Sequence, residues 1–397
     1  MKWINFLHIY QPPSTDAHVI KEATEMSYER IVRALETYPE AKLTMNISGC
    51  LIMRWEELGY LELISRIRRL IERGQIELTG TAAYHPIIPL IPAGEIEYQV
   101  AAHEEIVRKH FGEQIVLRGF FFPEMAYCPA AAKLIKDLGY EWAILDEIAV
   151  DGKLGEEKAN QVYQDENSQL KIITRSRKTS NTYVPDTVQA MLAEERLTPD
   201  QVLVTATDGE LYGLRHYDPS EEFEKVLANQ DVKTATVSDF VSSFQIKQNI
   251  KPVAHSWDSS EKELANNEPF NLWDEKNNVV QQKLWQLARL AYDTIEDFKE
   301  DENYYWARWH FVRGLASCTF WWASAKDFSL FGPISWSPDE IERGTNEFIR
   351  SIRALESEET RDTKVEAEKL YIEIKKIIWE QHWTYYWKKN TTGKKII

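Results

Sequence analysis

The chain has 397 residues, of which 43% are hydrophobic and 28% charged, enough for a large core and no composition for disorder. Its formal net charge of −16 argues against nucleic acid or an anionic membrane as a partner. The aromatic load of Trp 14, Tyr 18 and Phe 15 suits a large core and equally a site that stacks flat apolar faces, such as those of sugar rings. The length fits a large barrel with an extra domain rather than one small domain. Cys50, Cys128 and Cys318 are odd in number and far apart, so they form neither a disulfide framework nor a metal-type pair. Met1 to His8 leads straight into a strand-like run with no room for a signal peptide. No apolar run of about 18 residues follows, so a soluble, cytoplasmic protein is expected.

In chain order, Trp3 to Leu7 reads as a first strand and Asp16 to Thr37 as helix. Lys42 to Ile47 reads as a second strand, Ile52 to Arg73 as helix ending at Gly74, and Ile76 to Gly80 as a third strand. Ala93 to Phe111 is helical, with an acidic start and a basic end that the helix dipole favours. Val116 to Phe122 reads as a buried fourth strand, stopped by Pro123. Pro129 opens a helix that Gly139 closes. Trp142 to Leu145, Leu170 to Thr174 and Val202 to Ala206 complete seven strands, and Thr234 to Val237 offers an eighth. Strands alternating with helices predict a parallel sheet. Beyond residue 250 the pattern turns helical, over Trp273 to Phe298, Tyr304 to Lys326, Pro338 to Glu356 and Thr360 to Trp387. Trp379, Trp383 and Trp387 at successive turns are expected to form a packing stripe. The expected division is a barrel over residues 1–250 and a helical domain over 251–397, packed on it.

Chemically capable residues recur at the C-terminal ends of strands: His8, His85, Glu124 and Asp208. In a parallel barrel those ends share one face, where catalytic groups collect. Glu124 follows an apolar, aromatic strand. Asp208 sits in Thr207-Asp208-Gly209-Glu210, where Gly209 permits an unusual turn. Two carboxylates on one site can divide glycoside cleavage, one assisting at the anomeric carbon and the other giving a proton to the leaving oxygen. A zinc site drawn from His8, His85, Asp146 or Asp208 is the sharp rival, but the close His/Asp spacing that announces such a site is missing.

Four motifs in order resemble glycoside hydrolase family 57. His8-Ile9-Tyr10-Gln11-Pro12 resembles the first, with Ile9 and Tyr10 spacing His from Gln. Gly80 to His85 resembles the second, Phe121-Phe122-Pro123-Glu124 the third, and Thr207 to Glu210 the fourth. The resemblance implies an incomplete (β/α)7 barrel with a C-terminal α-helical domain. It implies a retaining α-glucan hydrolase or 4-α-glucan transferase that needs no metal or other cofactor, with Glu124 as nucleophile and Asp208 as general acid/base. His8, Gln11, His85 and Glu210 would bind the sugar, and Tyr84, Tyr127, Tyr212 and Trp257 are candidates for stacking. Trp321 and Trp322, in a stretch resembling the fifth motif, either join them or belong to a buried helix. The partner would be an oligo- or polysaccharide. A metal-dependent deacetylase or mannosidase-like enzyme, and a non-catalytic α-glucan-binding protein, are the alternatives from other classes.

Overall fold

The computed structural model describes residues 1–193, 201–244, 246, 248–328 and 333–391. Ten strands lie among them: β1 (Lys2–Ile9), β2 (Leu43–Ile47), β3 (Ile76–Leu78), β4 (Gly119–Phe120), β5 (Trp142–Asp146), β6 (Val162–Asp165), β7 (Lys171–Arg175), β8 (Val202–Asp208), β9 (Lys233–Thr234) and β10 (Asn249–Ile250). They pair in two sheets, β3-β2-β1-β8 with β9 against β1, and β10-β6-β7-β5-β4. Two narrow seams join the sheets. At one, Gly80 donates to the Gly119 carbonyl and accepts from Phe121, both at 2.9 Å; at the other, Ser176 N–H donates to the Val204 carbonyl at 2.9 Å. The ring therefore runs β1, β2, β3, β4, β5, β7, β8, and each ladder within it is parallel. β6 lies antiparallel on β7 and occupies the edge that β8 would need for a full ladder. Asn160, at φ 59°, fills that gap: its N–H bonds the Thr174 carbonyl and its Oδ1 accepts from Val204 N–H at 2.7 Å. The fold is α/β, an incomplete (β/α)7 barrel with a C-terminal α-helical region.

Period-two alternation sorts the strand side chains onto two faces. On β1, Trp3, Leu7 and Ile9 join the outer core beneath the helices, whereas Ile4 and Phe6 join the inner one with Phe121, Ile144, Ile173, Val204 and Ala206. Continuing the inward parity to the strand ends gives His8 on β1, Asn46 on β2, Asp146 on β5, Arg175 on β7 and Asp208 on β8. A polar layer thus caps the apolar interior at the C-terminal end of the barrel.

Contacts divide the described residues into two compact units. The first comprises Met1–Gln11, Thr15–Ala83 and Ile88–Pro269; the second comprises Pro12–Ser14, Tyr84–Ile87 and the chain from Phe270. The second is built on helices Val279–Asp297, Tyr304–Gly314, Ser317–Trp321, Pro338–Ala354 and Arg361–Gln381. Trp285 stacks on Phe320 there, with ring centroids 3.9 Å apart.

Several expectations need correction. The fourth strand spans only Gly119–Phe120, and Val116 is 70% exposed, because its apolar neighbours Ile115 and Leu117 pack sideways on the outer core. The helix expected over 52–73 is two, Gly49–Glu57 and Leu61–Glu72, broken where Gly59 takes φ +85°. The helix expected from Trp273 begins at Val279, and the one from Tyr304 ends at Gly314 before a second short helix. The proposed eighth strand is two residues of β9 followed by helix Val237–Ser243, whose Thr236 cap accepts from Asp239 N–H. The tryptophan stripe does not pack inward: Trp383 is 62% and Trp387 39% exposed, and Trp383 stacks on Trp379 along the helix surface. No described helix is long and apolar enough to cross a membrane.

Candidate active site

β1 and β8 run in register, so His8 and Asp208 are direct neighbours on adjacent strands, and His8 pairs with Asn46 on β2 in the same way. Asn46 Oδ1 holds His8 Nδ1 at 2.9 Å, and its amide passes the chain on to Thr79 Oγ1 at 3.1 Å. The imidazole also stacks on Phe121, with centroids 4.8 Å apart. Its orientation is thus fixed by a hydrogen bond and by ring contacts. Asp208 is partly exposed at the strand end and pairs with Arg215 at 2.9 Å.

Glu124 stands on a short turn, Pro123–Met125, in which Glu124 (φ 59°, ψ 18°) and Met125 (φ 49°) both occupy left-handed backbone. Two successive non-glycine residues there cost on the order of 1–3 kcal/mol each. The turn persists because Phe121, Phe122, Pro123 and Met125 are buried around it. A distant segment also fastens it: Trp257 N–H donates to the Glu124 carbonyl at 3.1 Å, and Tyr127 and His255 exchange backbone hydrogen bonds at 2.8 and 3.2 Å. The same segment brings the half-buried Trp257 ring edge-on to His8 and Phe121, at 6.0 and 6.1 Å. Glu124, His8, Asp208 and Trp257 are therefore all connected through the inner face of the first unit.

Other expected site residues have different surroundings. Gln11 and Glu210 are buried and bonded to each other at 2.8 Å, and Tyr28 Oη also donates to Glu210. Burial pushes the Glu210 carboxyl up, Arg215 opposes this, and the nearby Asp208 charge adds to it. These two residues support the Asp208 turn instead of standing open to a sugar. Tyr212 is 1% exposed within the outer core, edge-on to Phe223, and Tyr127 is fully buried with its hydroxyl on Asp165. Neither ring offers a free face for stacking, which corrects that expectation. Tyr84, His85, Trp321 and Trp322 belong to the second unit. There His85 is buried at φ 60° with its carbonyl accepting from Ser317 N–H, and the half-buried Trp321 and Trp322 rings meet edge to face at 4.5 Å. Half burial sets this pair apart from a wholly buried helix.

Sequence reasoning missed Arg215, Asn46 and a buried ion cluster. Both Asp146 oxygens are occupied, Oδ2 by Arg175 Nε at 2.9 Å and Oδ1 by Arg177 Nε at 2.9 Å. Each Asp146 oxygen is thus committed to a guanidinium group. Among the described residues no group of three or more His, Cys, Asp or Glu has a metal-holding arrangement. Strand-end parity could have flagged Asn46, Asp146 and Arg175; Arg215 carries no such signal.

A sequence model of Glycosyl hydrolase family 57 matches residues 4–252. An alpha-amylase of Pyrococcus horikoshii is 28% identical over 283 residues, covering 66% of this chain and 44% of that protein. A 4-alpha-glucanotransferase of Thermococcus litoralis is 25% identical over 281 residues, covering 66% and 42%. The chain thus spans less than half the length of these curated relatives. The crystal structure of the Thermococcus litoralis 4-alpha-glucanotransferase superposes with a TM-score of 0.72 at 18% identity, covering 90% of this chain and 59% of that one. A GH57-type branching enzyme from Pyrococcus horikoshii superposes with 0.67 at 15% identity, covering 94% and 95%. At these identities the superpositions speak to the fold.

Proposed function

The chain belongs to Glycosyl hydrolase family 57, and from that premise we propose that it cleaves α-glucans with retention, using Glu124 as nucleophile and Asp208 as general acid/base. The observation that carries this reading is the register pairing of Asp208 with His8 on the inner face toward which the strained Glu124 turn is fastened. In this reading the first unit carries the chemistry. Trp257 offers an apolar face to the sugar at the cleavage point, and His8, held by Asn46, bonds one of its hydroxyls.

Glu124 then attacks the anomeric carbon while Asp208 protonates the departing oxygen, giving a covalent glycosyl-enzyme. Asp208, now ionised, takes a proton from an incoming water or sugar hydroxyl, which releases the sugar from Glu124 with its original configuration. Retention asks for carboxyl groups about 5–5.5 Å apart with substrate bound. Arg215 pairs with the Asp208 carboxylate in the free protein, so Asp208 must leave this ion pair and take up a proton from water before it can protonate the departing oxygen. The alpha-amylase and glucanotransferase relatives support both fates of the intermediate, hydrolysis and transfer.

The test is product analysis with maltoheptaose, with and without a chelator, alongside Glu124→Gln. Shorter sugars alone indicate hydrolysis; longer ones as well indicate transfer. Glu124→Gln should lower turnover by at least ~10³-fold with the fold intact. Near-normal turnover in that variant, or loss of wild-type turnover on chelation, would overturn the assignment.

A further inference from the structure

Arg175 is fully buried at the end of β7, facing the barrel interior, and it makes three different contacts. Its Nε binds Asp146 on β5 at 2.9 Å. Its Nη1 donates to the Ala206 carbonyl at 2.8 Å, two residues before Asp208 on β8. Its guanidinium lies 5.4 Å from the centre of the Trp257 ring, and Trp257 is the residue whose N–H bonds the Glu124 carbonyl. Arg177 extends the grip, since its Nη1 donates to the Ser259 carbonyl at 2.8 Å while its Nε holds the other Asp146 oxygen.

This position coincides with the weak seam of the barrel. Between β7 and β8 the ladder is replaced by β6 and by the single bond from Ser176 to Val204. A side chain with a planar, three-directional fork is the group that can bridge such a seam, and a lysine, with one compact ammonium, cannot make the same set of contacts. We propose that Arg175, seated on Asp146 and seconded by Arg177, is a positioning residue that sets the separation of Glu124 and Asp208 by tying β8 to the Trp257 segment. The proposal rests on the two-carboxylate reading for its catalytic consequence, although the clamp itself is a statement about geometry. Because reaction rates fall steeply with misplacement of about 1 Å, the clamp acts on the chemical step more than on binding.

The test compares wild-type, Arg175→Lys and Arg177→Gln on two readouts. The first is amide exchange, followed by mass spectrometry, of the segment that contains His255 and Trp257. The second is kcat and KM on maltoheptaose. Arg175→Lys should speed exchange of that segment about tenfold or more and lower kcat ~10–100-fold with little change in KM. Arg177→Gln, at a partly exposed site, should act in the same direction more weakly, and it keeps the test available should Arg175→Lys fail to fold. Unchanged exchange in the variants overturns the clamp, and faster exchange with unchanged kcat overturns its positioning role. Wild-type protein without turnover, combined with faster exchange in the variants, overturns the α-glucan reading and leaves the clamp standing.

Discussion

At the scale of single residues, the site is defined by what holds each side chain. His8 is fixed by Asn46 and by the face of Phe121, Asp208 by Arg215, and the Glu124 turn by Trp257 through the main chain. A consequence follows for Asp208→Asn. Substrates with poor leaving groups, which need the proton, should slow by ~10²–10⁴-fold, and aryl glycosides with good leaving groups far less in the first step. Steady-state and burst kinetics on the two substrate classes read this difference, and equal loss on both would remove Asp208 from the acid role.

At the scale of elements, the barrel depends on short strands that meet closely. β4 is two residues long, yet it links β5 to the Gly80 seam. Gly119 makes the approach possible: a Cβ there would lie 2.1 Å from the Trp142 ring, which is buried and bonded through Nε1 to Ser238 at 2.9 Å. Gly119→Ala must displace that ring, and overpacking of this kind costs roughly 1–3 kcal/mol. The midpoint of urea unfolding should fall accordingly; an unchanged midpoint would mean that β4 can slide without loss. The polar layer above the interior is likewise an element property, because one alternation rule places Asn46, Asp146, Arg175 and Asp208 on the same face.

At the scale of the whole molecule, acid stability has a structural origin outside the candidate site's carboxylates. Burial pushes both His103 and His255 down from the usual value of 6.5 to about 4. Each is neutral in the fold, His103 bonding the Ile47 carbonyl at 3.0 Å and His255 that of Val253 at 2.8 Å. The unfolded chain binds these protons between pH 6.5 and 4 and the folded one does not. Stability from this source is therefore complete above pH 6.5 and is lost as pH falls toward 4, at most about 3 kcal/mol per histidine. Calorimetry at pH 7 and 4.5 should show a smaller fall in Tm for His103→Gln than for wild-type. An equal fall would place the acid sensitivity elsewhere.

The sequence by itself determined the α/β alternation and the positions of the barrel strands other than the fourth, and it singled out His8, Glu124 and Asp208 as motif residues, because hydrophobic periodicity, turn residues and short motifs are local properties of the chain. It misjudged the strand around Val116, since an apolar run there packs its side chains sideways while its backbone leaves the sheet. It missed β6, a short strand on the edge of β7, and β10, a two-residue strand on the edge of β6. Tyr212 and Tyr127 looked like sugar platforms, and burial among distant residues made them core. Only the tertiary structure brought Arg175 and Arg177 onto Asp146, and Arg215 onto Asp208. A charged side chain on a strand end or loop is compatible with many partners, and its partner is chosen by strand order and register, which no local pattern encodes.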